Sequence, residues 1–392
     1  MTGPQPSTSP QIAYVEVALA VPLARTFTYS WAADSPPVIG DAGAVDFHRR
    51  DLVGVVVGIS DQSKLERVLP IARVFDPVYS VDAGRMGLAR QVADYYGCGV
   101  GEILRLMIPP KPGATARKSP FEVGADREPV AAHDLTMAQA ECVDRIARPL
   151  DEGRYASFLL HGVTGSGKTE VYLQLIERCL DSGKSALILL PEIALTPQTI
   201  KRVRERFPGK VAPSHSRLTL GERSMVWEAA AKGNARVVVG ARSAVFVPMP
   251  DLGLIVVDEE HEPSFKSEKH PRYHARDVAL LRAARERVPI ILGSATPSLE
   301  SHHNAELAKH ELLRLPDRVS GQRRMPTVHI VDRREEGDSR FEPLSPPLVD
   351  AVRAAIDRGD QAILFHNRRG FARYLQCSAC GHVVECPRCD IS

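Results

Sequence analysis

Hydrophobic residues are spaced in two different ways along this chain. Between residues 11 and about 80 they fall in short β-branched runs, YVEVALAV, RTFTYS, DLVGVVVGIS and VLPIARVF, punctuated by Gly, Pro and Asp. That punctuation predicts a small β-rich domain. GRMGLARQVADYYGCGVGEILRLM predicts one or two short helices, and PPKPGATARKSPFEVGADREP, from residue 109, has the composition of a linker. After residue 150 the apolar runs become unbroken: YASFLLHG, SALILLPE, ARVVVGARSAVF, LGLIVVDEE and VPIILGSA. Helical segments separate them, from Lys168 to about Leu180, near 196 to 206 and near 274 to 287. Strands without alternation need cover on both faces, so this half predicts an α/β fold with a parallel sheet. PTVHIVD, a helix near 346 to 358 and QAILFHN read as the start of a second such unit.

Composition changes this picture little. At 392 residues, 44% hydrophobic and 25% charged, the chain is ordinary for a globular protein of two or three domains. A net charge of +2 selects no nucleic-acid partner by itself, so any such site must come from local charge. The early apolar stretch IAYVEVALAVPLA contains Glu16 and lacks a basic leader, which favours strands over a signal or membrane segment. Of seven cysteines, Cys98, Cys142 and Cys179 are scattered and read as core residues. Cys377, Cys380, Cys386 and Cys389 form two C-x-x-C pairs suited to tetrahedral Zn²⁺. Metal-ligand spacing in place of a disulfide framework predicts a reducing, cytoplasmic compartment.

HGVTGSGKTE is the strongest chemical signal. Gly162, Val163, Thr164, Gly165, Ser166, Gly167, Lys168 and Thr169 give the full G-x-x-x-x-G-K-T pattern between an apolar strand and a helix. Glycines let backbone amides turn toward phosphate oxygens, and the helix N-terminus adds its dipole. Lys168 would meet the β/γ-phosphates of ATP, and Thr169 would offer its hydroxyl to Mg²⁺. LGLIVVDEEH then brings Asp258 to the end of a neighbouring strand as a second Mg²⁺ ligand. Glu259 is the candidate to orient and deprotonate the attacking water. His261 either senses the γ-phosphate or caps the turn. In GSATPSLE, Ser294 and Thr296 read as residues that couple a third strand end to the phosphate site.

Together these motifs resemble the replication restart helicases of superfamily 2, the primosomal protein N′ family. The matching stretches are HGVTGSGKTEVY, LLPEIALTPQ, HSRLTLGERSMVW, VVVGARSAVFVP, VVDEEHEPSFKSEKHPRYHARDVA, GSATPSLE, LFHNRRGF and the cysteine pairs, from about 135 to 389. A fainter likeness covers 11 to 110. The resemblance implies an α/β fold: a P-loop helicase lobe, a small β-rich N-terminal DNA-binding domain, the beginning of a second lobe and a zinc-binding segment. The expected division is a disordered lead at 1–10, the DNA-binding domain at 11–108, a linker at 109–134, the ATP-binding lobe at 135–318, the start of the second lobe at 319–376 and the zinc segment at 377–392.

Residue by residue, the resemblance implies that Gln139, 23 positions before Gly162, reads adenine. Pro191, Glu192 and Thr196 would approach single-stranded DNA, as would Arg242, Ser243 and Phe246. In FKSEKHPRYHARD, Phe265 and Tyr273 would stack with bases while Lys266, Arg272 and Arg276 neutralise phosphates. The implied activity is 3′ to 5′ DNA unwinding driven by ATP at stalled or abandoned forks, followed by primosome assembly. Branched and single-stranded DNA, primosome proteins and single-stranded-DNA-binding protein are the implied partners, with no membrane.

Five departures from the family pattern shape these expectations. Thr28 stands between Phe27 and Tyr29 where the family carries an aspartate, so the N-terminal domain is expected to bind DNA in general. VDFHRRD replaces a glycine-containing turn. Only about 25 residues, 110–134, stand where the family usually has a winged-helix domain. The second lobe, with its arginine toward the γ-phosphate, is expected to be incomplete, since Arg368 and Arg369 match the earlier segment HNRRGF. In the family the four cysteines present here pair with later ones across two interleaved zinc sites, so two half-sites are expected. A DNA-binding or assembly module without coupled hydrolysis is the competing reading.

Overall fold

The computed structural model describes residues 13–31, 33, 35–117, 119–121, 128–319, 327–332 and 344–365. Its contacts divide the chain into two units, Met1–Arg323 and Arg324–Ser392.

The first unit begins with strands β1 (Tyr14–Leu19), β2 (Phe27–Ser30), β3 (Ala42–Phe47), β4 (Arg50–Ser60) and β5 (Arg73–Val74), which form an antiparallel sheet in the order β2-β1-β4-β3-β5. Alternation works as strand geometry requires. Val15, Val17, Tyr29, Val45 and Val56 bury one face, while Ala18 and Val55 join the core beneath α1 (Ala83–Tyr96) and α2 (Val100–Leu106). VDFHRRD forms the end of β3 and a two-residue hairpin. His48 and Arg49 both take positive φ (53° and 62°) there, as the tight turn demands, and Phe47 pairs with Arg50.

A seven-stranded parallel sheet follows, its strands being β6 (Ala156–Gly162), β7 (Ser185–Leu189), β8 (Val211–Ser214), β9 (Val237–Gly240), β10 (Leu252–Asp258), β11 (Pro289–Ser294) and β12 (Glu311–Leu315). Their order is β12-β6-β11-β10-β7-β9-β8. Helices α3 (Met137–Glu152), α4 (Lys168–Asp181), α5 (Pro197–Arg206), α6 (Leu220–Ala231), α7 (Ala275–Glu286) and α8 (Leu299–Glu306) complete the lobe. Ile255, Val257, Ile290 and Leu292 belong to one core and Leu254, Val256, Ile291 and Leu160 to the other. Both faces are therefore dry, which explains the unbroken apolar runs. The short strands β8 and β12, VAPS and ELLRL, carry too little apolar pattern to be read from sequence.

The N-terminal domain docks on α6 and α7. Tyr79 donates to Glu228 and accepts the Gly113 amide at 2.7 Å. Arg85 is buried with its guanidinium 5.8 Å from the Trp227 ring, and burial lowers it to about 10. Arg285 donates to the Gly84 carbonyl at 3.0 Å. The segment with linker composition is packed along the lobe over its described residues. The Thr115 carbonyl sits so close to α6 that a Cβ on Gly221 would lie 2.2 Å from it. Phe121 is buried with Ala212, Val226, Ala229 and Ala235. Arg206 donates to the Val130 carbonyl at 2.8 Å, and the Val130 amide to the Glu205 carbonyl at 2.9 Å.

In the second unit the expected helix is present as α9 (Pro346–Asp357). The strands expected at PTVHIVD and QAILFHN are not: residues 327–332 and 361–365 carry no strand. A continuous apolar run becomes a strand only when neighbours cover it. Here Val328, Ile330, Ile363 and Phe365 are 78%, 94%, 95% and 86% exposed.

Candidate nucleotide site and the adjoining loop

Three strand ends make the site. β6, β11 and β10 are adjacent, so Gly162, Ser294 and Asp258 arrive together at the carboxyl edge of the sheet, where ligands bind in such folds. Gly165 and Gly167 take φ of 83° and 80°, turning the phosphate loop before α4 begins at Lys168. Lys168 is 9% exposed and donates to the Gly162 carbonyl at 2.8 Å, a bond internal to the loop. The Ser166 hydroxyl is buried without a hydrogen-bond partner. The loop thus holds an internally parked cation and an orphaned hydroxyl, both suited to an incoming phosphate.

A cleft of about 650 Å³ opens over this loop. Thr164 to Glu170, Gln139, Asp258 and Glu259 line it, as do His133, Asp134, Arg202 and Val319, which the motifs did not reveal. Glu170 positions one of these, accepting the His133 amide at 3.2 Å. Gln139 is almost wholly buried and doubly used: it closes the capping box of α3 with Thr136 and donates to the Ser166 carbonyl at 2.9 Å. It braces the phosphate loop through that bond.

Asp258 accepts from Tyr172 at 3.0 Å, and burial together with Glu259 raises its carboxyl above the usual range. Only glycine fits beside this pair, because a Cβ on Gly293 would lie 1.7 Å from the Tyr172 hydroxyl. Glu259 takes φ +49°, a left-handed conformation unfavourable for a side-chain-bearing residue, at the point where its carboxylate enters the cleft. His261 Nδ1 lies 3.7 Å from Glu259 and 2.7 Å from the Ser294 hydroxyl, with Nε2 3.5 Å from Thr296. The expected coupling residues are in contact. Thr169 and Asp258 stand at the cleft, and no group of three or more His, Cys, Asp or Glu gathers to hold a metal among the described residues. Such a sparse donor set fits Mg²⁺, which is usually shared between a few protein oxygens and phosphates.

Glu260, adjacent to the catalytic candidate, is a buried hub. It accepts from the Ser298 amide (2.7 Å), the Ser298 and Ser301 hydroxyls (3.0 and 2.8 Å) and Arg276 (2.9 Å). This corrects the expectation for Arg276, whose guanidinium is tied into that hub and not presented to phosphates. Phe265 and Tyr273 also require correction. They are 1% and 4% exposed, Tyr273 packing edge-on against Phe246 at 5.0 Å, so neither ring is offered to a base. The loop folds back on itself, with the Ser267 amide donating to the Tyr273 carbonyl at 2.8 Å, and this turns both rings inward. Arg242 braces the same loop by donating to the Ser264 and Lys266 carbonyls. Lys266 and Arg272 are exposed.

At the N-terminal sheet Thr28 and Thr26 each donate to a different oxygen of Glu16, both at 2.6 Å, so a carboxylate does stand opposite Thr28 on the neighbouring strand. Cys377, Cys380, Cys386 and Cys389, with Arg368 and Arg369, lie outside the described residues. No helix among the described residues is long and apolar enough to cross a membrane.

Comparison with known proteins matches residues 16–109 to a 3′ DNA-binding domain model and 136–305 to the DEAD/DEAH box helicases. The replication restart protein PriA of Bacillus subtilis is 48% identical over 259 residues, 66% of this chain and 32% of that protein. PriA of Treponema pallidum is 36% identical over 386 residues, 96% of this chain and 57% of that protein. Among solved structures, RecG bound to a three-way DNA junction aligns with a TM-score of 0.42 and 23% identity, over 58% of this chain and 29% of that one. The chain therefore spans less than two thirds of these curated relatives. A 3′ DNA-binding domain followed by a helicase ATP-binding lobe, in one continuous alignment to PriA proteins, places this chain in the replication restart protein PriA family.

Proposed function

We propose that the chain is the DNA-binding and ATP-hydrolysing part of a 3′ to 5′ DNA helicase that acts at stalled or abandoned forks and initiates primosome assembly. The observation that carries this reading is the convergence of the phosphate loop and Asp258–Glu259 on one cleft, with His261 beside Glu259 and bonded to Ser294. On this reading Lys168 leaves the Gly162 carbonyl for the nucleotide's phosphates, and Gln139 holds the loop in place. Mg²⁺, held by Thr169 and Asp258, would supply Lewis-acid charge to the phosphates. Glu259 orients and deprotonates water, while His261 reports the event to Ser294 and Thr296. Branched fork DNA and single-stranded DNA are the proposed substrates, with Lys266 and Arg272 the exposed cations of the loop. Primosome proteins and single-stranded-DNA-binding protein are the proposed partners. Zn²⁺ is proposed from cysteine spacing alone, and metal analysis of the purified protein checks it.

A Lys168→Ala protein tests the site. It should lose binding of a fluorescent ATP analogue by more than about tenfold, the loss of one charge-assisted contact, and keep its affinity for fork DNA. Unchanged nucleotide binding would refute the assignment. The second reading, a fork-binding module without coupled hydrolysis, predicts nucleotide binding with no stimulation of ATPase by single-stranded DNA.

A further inference from the structure

The loop that leaves Glu260 and returns at His274 is gripped from two domains. The lobe holds it through Arg242 and Phe246, as described. The N-terminal domain holds it through the end of α1 and through α2. Tyr96 accepts the His274 amide at 3.0 Å and donates to Asp277 Oδ2 at 3.3 Å, and its ring lies 5.2 Å from the Lys266 ammonium. Glu102 receives His270 Nε2 at 2.9 Å while its other oxygen caps α2 at the Gly99 amide. From Tyr96 the bonds run on without a gap. Arg276 Nε meets Asp277 Oδ1 at 3.3 Å, and Arg276 Nη1 meets Glu260 at 2.9 Å, one residue from Glu259. Burial raises the Tyr96 phenol well above its ordinary value, so its hydroxyl stays a donor at any working pH.

We propose that Tyr96 is a positioning residue for ATP hydrolysis: through Asp277, Arg276 and Glu260 it fixes the backbone turn that carries Glu259, so that the N-terminal domain controls the nucleotide site. The proposal rests on the ATP-hydrolysing reading above. Its physical content is a two-sided clamp. A DNA strand that shifts the N-terminal sheet against the lobe loads Tyr96, and the bonds through Asp277 and Arg276 lead from there to the turn at Glu259. Coupling between sites is a free-energy difference transmitted by such contacts, and mere proximity does not establish it.

Tyr96→Phe keeps the ring and its contact with Lys266 while removing both hydroxyl bonds. Asp277→Asn breaks the next link, and Tyr95→Phe, a neighbouring phenol 64% exposed, is the control. Three readouts are taken on the whole chain: affinity for a fluorescent ATP analogue, kcat and KM for ATP with and without oligo-dT, and amide hydrogen exchange of peptides spanning 259–262 and 296–301. Tyr96→Phe and Asp277→Asn should leave nucleotide affinity and KM unchanged, lower kcat about fivefold, the low end of measured couplings, and speed exchange in those two peptides only. Tyr95→Phe should match the unsubstituted protein. Unchanged kcat and exchange in both variants would overturn the proposal, as would exchange that rises equally in β10. Absence of ATPase activity in the unsubstituted chain defeats the hydrolysis reading instead. The exchange pattern then decides, localised acceleration supporting the relay and an unchanged pattern overturning it.

Discussion

Replacing Glu260 with alanine should destabilise the first unit by about 3–5 kcal/mol, the range for removing one partner of a buried ion pair. Glu260 is 0% exposed and the Arg276 side chain 12%, so the guanidinium left behind has little water to replace its partner. Counting four bonds to a charged acceptor at about 1.5–3 kcal/mol each would overshoot, because one carboxylate serves all four and their losses are not additive. Urea unfolding followed by circular dichroism measures the effect, with the denaturant slope unchanged. Arg276→Ala closes a double-mutant cycle. The double variant should be more stable than the sum of the single losses predicts, by at least about 1 kcal/mol. A loss below that size for Glu260→Ala, or an additive cycle, would refute the hub. The pH dependence carries a definite sign. Burial pushes the Glu260 carboxyl up, but the Ser298 amide, Arg276 and Ser301 outweigh it and bring it below its ordinary 4.5. A lowered carboxyl contributes stability above the ordinary value and loses it as pH falls through the folded one. The gap between the unsubstituted protein and Glu260→Ala should narrow in that acid window.

Two further outcomes separate structure from chemistry. Phe265→Ala should cost about 3–5 kcal/mol as a core truncation, seen as a lower urea midpoint, whereas a ring that only stacked on bases would leave stability alone and change DNA affinity. Asp258→Asn should raise stability by about 0.5–2 kcal/mol while abolishing Mg²⁺-dependent hydrolysis. Burial and Glu259 raise the folded carboxyl above its ordinary 3.8, so at neutral pH its charge opposes folding. Thermal melts should show that advantage shrinking as pH falls through the raised folded value.

What the sequence discloses depends on whether a residue's role is local. LGLIVVD reads as a strand because β10 is dry on both faces, and G-x-x-x-x-G-K-T reads as a phosphate loop because turn, cation and hydroxyl lie within a few residues. The Arg276–Glu260 bond spans sixteen positions, and nothing in HARD or DEEH discloses that one will neutralise the other. Phe265 and Tyr273 differ from the sequence-based expectation for a related reason. A charged, aromatic segment does not state which way its rings face until the Ser267–Tyr273 bond folds it. Cross-strand neighbours are equally silent: Thr28 alone suggests a missing carboxylate, yet Glu16 stands opposite it. Lining residues such as Arg202 and His133 carry no motif at all. In the second unit the described residues of the two apolar runs, 327–332 and 361–365, are exposed and carry no strand.

The packing of the described residues between 110 and 134 has a mechanical meaning. A slack tether would let the N-terminal sheet swivel, and any load on it would be lost in uncoiling the chain. Here the Thr115 carbonyl against Gly221, the Gly113 amide on Tyr79 and Phe121 in its own small core remove that slack. Force applied at the N-terminal sheet reaches α6 and α7 within a side chain or two. The N-terminal domain is thus joined to the nucleotide lobe by packed side chains, so that a displacement of one is felt by the other.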